Sequence, residues 1–405
     1  MTLHDRLSGL IDPILFDEAR QATCEACGHE GLVAFYEANT LPTQTCVLLD
    51  DERGASDYPV GDLLLGFCET CGFIQNVRFD RELVDYSKPT EESQAFSPLF
   101  QNFARDLADE LVDKHELIGR SVFEVGCGKG DFLALLGESG IGIGLGIDPG
   151  YLPNRPIAGD ARLTFLREWF DESNTHLTAD LVVTRHLMEH VPNVSEFFGW
   201  LLRSTKATEG GTMFTEVPDV QRVLDEGAFW DVYYEHCSYF TLGSLARTLR
   251  SSGFEVTDLR MGFSEQYLMA NARPGQGGQP FAFEDSPAAL ADKVARFAVE
   301  ATGKVQYWRD RIGQVLAHGG SVSAWGGGSK AVAFLSSVGV GPVSVVDINP
   351  HKQGKWLPTV AVEVSAPEVL SDIRPELVIP MNSIYIDEIR HDLQAMGLSP
   401  QLESL

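Results

Sequence analysis

Three alternating glycines, Gly126, Gly128 and Gly130, follow the apolar run Ser121 to Val125, and the carboxylate of Glu124 stands at the mouth of the turn they make. β-prone residues stopping at glycines predict a buried strand ending in a tight turn. Asp131, followed by Phe132, Leu133, Leu135 and Leu136, predicts a helix opening directly after it. Without Cβ atoms the turn lets a ligand approach the backbone closely, and the first helical N–H groups have no partner within the helix. The next apolar run, Ile141 to Asp148, ends in an acid about twenty residues beyond the glycines, the place from which a ribose hydroxyl pair is gripped. Dinucleotide sites share these features, but a carboxylate at 124 repels a pyrophosphate and attracts a cation, and the spacing is G-x-G-x-G rather than G-x-G-x-x-G. Glu124, Gly126, Cys127, Gly128, Gly130 and Asp148 are therefore the candidate cofactor contacts.

The order acid-x-G-x-G-x-G resembles the first motif of the class I S-adenosylmethionine-dependent methyltransferases. That resemblance implies S-adenosylmethionine as cofactor, with its ammonium and sulfonium end near Glu124. Asp180-Leu-Val-Val-Thr-Arg185-His186 predicts a later strand whose polar end, including Arg185, lies on the ligand side of the sheet. The turn after it, Glu189-His190-Val191-Pro192, looks like the H-x-x-E-H-x-x-[DN] form that those enzymes carry beside the cofactor. Further on, Trp230-Asp-Val-Tyr233-Tyr-Glu235-His236 interleaves aromatic rings with an acid and an imidazole. Such groups are costly to bury unless their polar tips have partners, so the segment reads as a pocket wall.

Four of the seven cysteines form two knuckles, Cys24-Glu-Ala-Cys27-Gly28 and Cys68-Glu-Thr-Cys71-Gly72. Each C-x-x-C-G turn directs two thiolates at one point, and two such turns complete a tetrahedral, all-cysteine site for a structural zinc ion with no open position. A disulfide reading needs an oxidising compartment, and a redox reading explains one pair but not two. Cys46, between the knuckles, reads as a packed thiol.

The 405 residues suit two or three domains: a zinc-binding unit over 1–86, a methyltransferase unit over 87–274 and a Rossmann-like unit over 275–405, all of α/β class around a class I methyltransferase core. Net charge −27 argues against nucleic acid or an anionic membrane as partner, no run approaches the length of a membrane span, and Met1 to Leu10 is too polar for a signal peptide, so a cytoplasmic protein is expected. Phe96 to Leu111 has helical periodicity and should lie on the sheet, with Tyr86 at the junction of the first two units. Leu163 to Phe170 reads as helical, and Asp160 before it as a carboxylate near an adenine or a helix cap. After a Gly- and Pro-rich linker, Arg273 to Pro287, and a long helix, a strand meets Gly326-Gly-Gly-Ser329-Lys330, and another closes on Asp347-Ile-Asn349. This second βαβ unit, with Lys330, Lys352 and Lys355 in an otherwise acidic chain, suits an anionic ligand such as a phosphate.

Taken in order, the whole chain beyond its first twenty residues is similar to the ketosugar C-methyltransferases, which methylate nucleotide-linked deoxysugars in antibiotic pathways. The marks are Gly66-Phe-Cys-Glu-Thr-Cys-Gly-Phe-Ile-Gln75, Tyr233-Tyr-Glu-His236 and Asp347-Ile-Asn-Pro-His-Lys-Gln-Gly-Lys355. The resemblance implies a nucleotide-sugar substrate and catalytic roles for His236, Tyr233, Glu235 and His190. His236 would be the general base, Glu235 would tune its imidazole, and Tyr233 and His190 would donate to an enolate oxygen. Tyr86, Ser329, Lys330, Asn349, Lys352 and Lys355 would meet the substrate. The chain departs from that family where Tyr86, Ser87 and Ser93 match a Tyr/Ser-rich segment loosely and where P-G-T becomes Pro358-Thr359. The same layout also suits methylation of oxygen, nitrogen or carbon in another small molecule, or a non-catalytic zinc- and nucleotide-binding scaffold.

Overall fold

The structure, a computed structural model, describes residues 2–88, 90–91, 96–152, 162–206 and 210–405. Ser93 and Asp160 lie outside the described residues, and so do the expectations placed on them. Three sheets organise the chain. The first begins with β1 (Val33–Pro42), β2 (Val60–Phe67) and β3 (Ile74–Asn76), paired antiparallel in that order.

The second sheet holds β4 (Ser121–Val125), β5 (Ile143–Ile147), β6 (Arg162–Leu166), β7 (Leu181–Arg185) and β8 (Thr212–Pro218). Past β9 (Ser238–Tyr239), the hairpin of β10 (Phe254–Gly262) and β11 (Tyr267–Pro274) completes it. Its order is β10-β11-β8-β7-β4-β5-β6, parallel except at β11, which runs antiparallel to both β8 and β10. From β4 the chain first builds outward through β5 and β6, then returns to lay β7 on the other side. The C-terminal end of β4 is thus a topological switch point, where ligands bind in open α/β sheets.

β9 pairs not with this sheet but with β3, through Ile74 to Tyr239 and Gln75 to Ser238, so the first sheet crosses the expected boundary at residue 86. Leu163 to Phe170, expected to be helical, instead contains most of β6. Leu163 and Phe165 sit opposite Gly144 and Gly146 of β5, where a Cβ would stand 2.5 and 2.7 Å from those side chains. The glycines open room on one face of the sheet, and period-two packing into that room overrides the local helical pattern.

The third sheet is wholly parallel and contains β12 (Val322–Trp325), β13 (Ser344–Val346), β14 (Val364–Ser365), β15 (Leu377–Pro380) and β16 (Gln401–Leu402) in the order β14-β13-β12-β15-β16. It repeats the switch-point arrangement, now at the end of β12. The 31-residue helix Pro287–Ala317 ties this unit to the N-terminal one, with Phe297 packing edge-on against Phe35 and Tyr36 and Asp292 paired to Arg6 at 2.5 Å. Among the described residues, no helix is long and apolar enough to cross a membrane.

Candidate active site and cysteine cluster

The switch points of the second and third sheets face one cavity of about 1320 Å³. That exceeds the several hundred cubic ångströms typical of a single-ligand pocket and leaves space for a cofactor and a second molecule together.

At one end lies the glycine turn after β4. Gly126 takes a left-handed conformation (φ +74°), donates its N–H to the Ile147 carbonyl at 2.9 Å, and has the Leu187 side chain where a Cβ would stand. Gly128 donates to one carboxylate oxygen of Asp148 at 2.9 Å and Gly150 to the other at 2.7 Å, which holds Asp148 at the end of β5. Gly126, Cys127, Gly128 and Asp148 line the cavity. Gly130 (φ +83°) instead caps the helix Asp131–Glu138 from behind, correcting its place among the ligand contacts. Burial pushes the Cys127 thiol above its ordinary pKa, so it stays protonated.

Glu124 lines the same end and is 3 % exposed, with Oε2 lacking a hydrogen-bond partner. Burial pushes its carboxyl up to about 8 in spite of nearby Arg185. A buried acid with an unsatisfied oxygen beside a glycine cradle, with Asp148 at ribose distance in sequence, fits a cationic adenosyl ligand. Arg185, expected at the cofactor, spends Nε and a terminal nitrogen on Glu216 at 3.0 and 2.8 Å and lies 4.1 Å over the Phe132 ring. It thus balances a fully buried carboxylate while also lining the cavity beside Glu124.

His190, Tyr233 and His236 form the cavity wall in the middle. The His236 ring centroid lies 4.8 Å from that of His190 and 4.6 Å from that of Tyr233. The Tyr86 hydroxyl stands 3.0 Å from His190 Nδ1, and the Glu235 carbonyl 3.2 Å from it. His236 is reached from the cavity but enclosed by protein. Burial, and then His190, push its pKa down to about 3 against the pull of Glu189 and Asp231.

Two expected roles change. The Glu235 carboxylate accepts from the Thr45 N–H at 2.9 Å and from the Thr45 hydroxyl, so it anchors the loop between the knuckles rather than tuning His236. The carboxylate that stands with the imidazoles is Glu189, whose oxygen lies within 4.8 Å of a ring nitrogen of both His190 and His236. Tyr233 gives its hydroxyl proton to Asp231 at 2.9 Å and is not set to donate elsewhere. Asp231 in turn meets Arg222 at 2.6 Å and Lys330 at 3.1 Å. Burial works against its charge, but those cations hold its carboxyl down to about 2. Sequence reasoning placed Asp231 and Glu189 inside quoted motifs without giving them roles, and it missed Thr45 and Arg222 entirely.

At the far end the second glycine turn reproduces the first. Gly327 donates to Asp347 at 2.7 Å, Asn349 N–H to its other oxygen at 2.8 Å, and Gly326 to the Val346 carbonyl at 2.8 Å. Ser329, Lys330, Asn349 and Lys352 line the cavity with Tyr86. The cations expected to hold an anion already face carboxylates, Lys330 on Asp231 and Lys352 on Asp347 at 3.6 Å. Lys355 pairs with exposed Asp50 at 2.6 Å and does not line the cavity, which removes it from the site. Cys46 is no remote core thiol: its Sγ is 3.1 Å from the Ser329 hydroxyl, and it lines the cavity.

The two knuckles adopt the same turn. The N–H of Gly28 meets the Cys24 carbonyl and that of Gly72 the Cys68 carbonyl, each at 2.8 Å, with φ of +73° and +76°. All four sulfurs lie within 4.8 Å of one another, with Cys24 to Cys71 at 3.6 Å and Cys27 to Cys68 at 3.8 Å. Thiolates placed tetrahedrally about 2.3 Å from an ion are about 3.8 Å apart, so the donor set fits zinc. Beside it, Gln75 accepts from Glu25 N–H at 3.0 Å, Asn76 donates to the Tyr234 carbonyl at 3.3 Å, and Asn76 N–H donates to the Cys237 carbonyl at 3.0 Å. The knuckle unit thereby grips the segment that carries His236.

A family model for methyltransferase domains matches residues 93–259, and one for C-methyltransferase C-terminal domains matches residues 288–398. C-methyltransferase NovU of Streptomyces niveus is 26% identical over 389 residues, spanning 90% of this chain and 90% of that protein. Among solved structures, magnesium protoporphyrin IX methyltransferase from Synechocystis with bound SAH is 16% identical at a TM-score of 0.35, covering 44% of this chain and 84% of its own. The 1,6-didemethyltoxoflavin-N1-methyltransferase of Burkholderia thailandensis is 18% identical at 0.35, covering 44% and 82%.

Proposed function

We propose that this chain, an S-adenosylmethionine-dependent C-methyltransferase, methylates the carbon beside the keto group of a nucleotide-linked deoxysugar. The observation that supports this most is the single cavity running from the acid-tipped glycine turn, past His236, to a second nucleotide-type turn. Bound S-adenosylmethionine supplies an electrophilic methyl group. Glu124 balances the positive end of the cofactor, Gly126 and Gly128 admit it closely, and Asp148 takes the ribose hydroxyls.

Carbon becomes nucleophilic only when a proton α to the carbonyl is removed, and His236 is the base that removes it. His190, whose Nδ1 lies 3.0 Å from the Tyr86 hydroxyl and 3.2 Å from the Glu235 carbonyl, lines the cavity beside His236 and is the group placed to meet a developing enolate oxygen. Tyr233, committed to Asp231, shapes the wall beside His236. Ser329, Asn349 and Lys352 meet the nucleotide end, and Lys330 joins them if a phosphate competes with Asp231. A structural zinc ion held by Cys24, Cys27, Cys68 and Cys71 fastens the first sheet to the catalytic segment.

Changing His236 to Ala should lower methyl transfer about 10²- to 10⁴-fold while calorimetric S-adenosylmethionine binding stays within about twofold. Retained turnover rejects the assignment. A second reading, an uncharged ketone as acceptor, is favoured by Lys330, Lys352 and Lys355 each facing a carboxylate. Mass spectrometry of products from a panel of nucleotide ketosugars and uncharged ketones separates the two.

A further inference from the structure

Beside His190 and His236 runs a chain of alternating charge, buried at its carboxylates and half-buried at His186, that the proposed chemistry has not used. Arg185 meets Glu216 at 2.8 Å, His186 Nε2 meets the same Glu216 oxygen at 3.0 Å, and His186 Nδ1 meets Glu189 at 3.5 Å. Glu189 and Glu216 are 3 % and 0 % exposed. Burial opposes charge on His186, but its two carboxylate partners outweigh that and hold its pKa at about 9, so the chain alternates plus and minus at neutral pH. His186 also sits at φ +49°, a left-handed conformation unfavourable for a residue with a side chain and kept only where the surroundings enforce it.

The chain stops at Glu189 with an imbalance. Its Oε1 faces His186, whereas Oε2 is buried and has no hydrogen-bond partner, and this carboxylate lies within 4.8 Å of ring nitrogens of both His190 and His236. An unsatisfied buried carboxylate oxygen is costly unless a charge develops beside it. Of the other acids of the neighbourhood, Asp231 is met by Arg222 and Lys330 and Glu235 by Thr45, while Glu216, whose Oε2 is also without a hydrogen bond, already has both Arg185 and His186 on its other oxygen.

We propose that Glu189 is the positioning residue of the general base, its buried carboxylate standing beside the His236 ring to stabilise the imidazolium formed when His236 takes the α-proton of the acceptor. The inference rests on the reading of His236 as base. In the step, the α C–H bond breaks, its proton passes to the imidazole, and the electron pair passes into the enolate. After methyl transfer the imidazolium returns the proton to water. An imidazole enclosed by protein and adjoining a second imidazole is a weak base. A fixed carboxylate is the group that makes it able to accept a proton without adding a proton donor of its own.

The test measures two things on wild type, Glu189→Gln, Glu189→Asp and His236→Ala. One is exchange of the α-proton of a nucleotide ketosugar into D2O with S-adenosylhomocysteine bound, and the other is kcat and KM for methyl transfer. Glu189→Gln should slow exchange and kcat about tenfold or more with KM within about twofold, and should raise the isotope effect of an α-deuterated acceptor. Glu189→Asp, which keeps the charge, should recover most of the rate. A Gln variant with wild-type exchange, kcat and isotope effect, while His236→Ala is dead, overturns the role of Glu189 alone. Exchange that survives in His236→Ala overturns the base assignment and this inference with it. If the Gln variant does not fold, Glu189→Asn takes its place against Glu189→Asp: a folded Asn variant with wild-type exchange, kcat and isotope effect overturns the role, and a slow Asn variant beside a fast Asp variant supports it.

Discussion

Glu124 sets the charge at the cofactor end of the cavity, and its environment makes that charge conditional. A carboxyl raised to about 8 by burial is mostly protonated at neutral pH in the free enzyme. A bound cation favours the carboxylate, so binding expels a proton. Affinity for S-adenosylmethionine should therefore rise as pH rises toward about 8 and level off beyond it. Calorimetry in buffers of different protonation enthalpy should detect proton release near pH 7. Glu124→Gln should abolish that release and weaken binding about tenfold. The α-amino group of the ligand also titrates near pH 8, and the Gln variant supplies that baseline. The glycine spacing made Glu124 legible in the sequence because acid and turn are neighbours along one strand. Glu189 was visible only as a letter in H-x-x-E-H: His186 and His190 flank it in the same turn, but His236 joins them only when that turn meets the distant segment that carries it.

Among the elements, the three-residue strand β3 and the two-residue β9 matter beyond their length. They join the knuckle unit to the segment 233–239, and short strands hold only where packing and neighbouring bonds fix both partners. The cysteine cluster does not line the cavity, yet a metal there would fix β3 and through it the His236 wall. Elemental analysis should find about one zinc per chain. Chelation, or Cys71→Ser, should lower Tm by about 5 °C or more and reduce methyl transfer in parallel. Full activity in the metal-free protein would break this coupling. The C-x-x-C-G turns were readable because a turn of that length forms from its own residues. β6 was misread because the room for Leu163 and Phe165 is made by two glycines on a different strand.

At the scale of the whole molecule, two Rossmann-like units point their switch points at each other, and a few polar contacts bridge them. Gln266 and Asn382 exchange side-chain hydrogen bonds at 2.9 and 3.0 Å and Lys330 reaches Asp231, while the hydroxyls of Thr45 and Ser329, 2.7 Å apart, tie the knuckle unit to the third sheet's unit. Lys330 thus either holds the units together or, exchanging Asp231 for a phosphate, greets the acceptor. Lys330→Ala should raise KM for a nucleotide-linked acceptor about tenfold while the Kd of S-adenosylmethionine stays within about twofold. An unchanged KM would assign the lysine to the interface alone and favour an uncharged acceptor.

By itself the sequence determined the features that a few consecutive residues decide. These are the acid and glycines of the β4 turn, the paired cysteine knuckles, and the second glycine turn at Gly326. Each follows from backbone conformations that neighbours within one turn impose. The tertiary structure alone decided which charges meet. Thr45 takes Glu235 across 190 positions, Asp231 binds Lys330, and β9 leaves its own unit to pair with β3. Those choices depend on burial, since a carboxylate taken from water accepts whichever donor the folded chain brings within reach, and no local pattern specifies that donor.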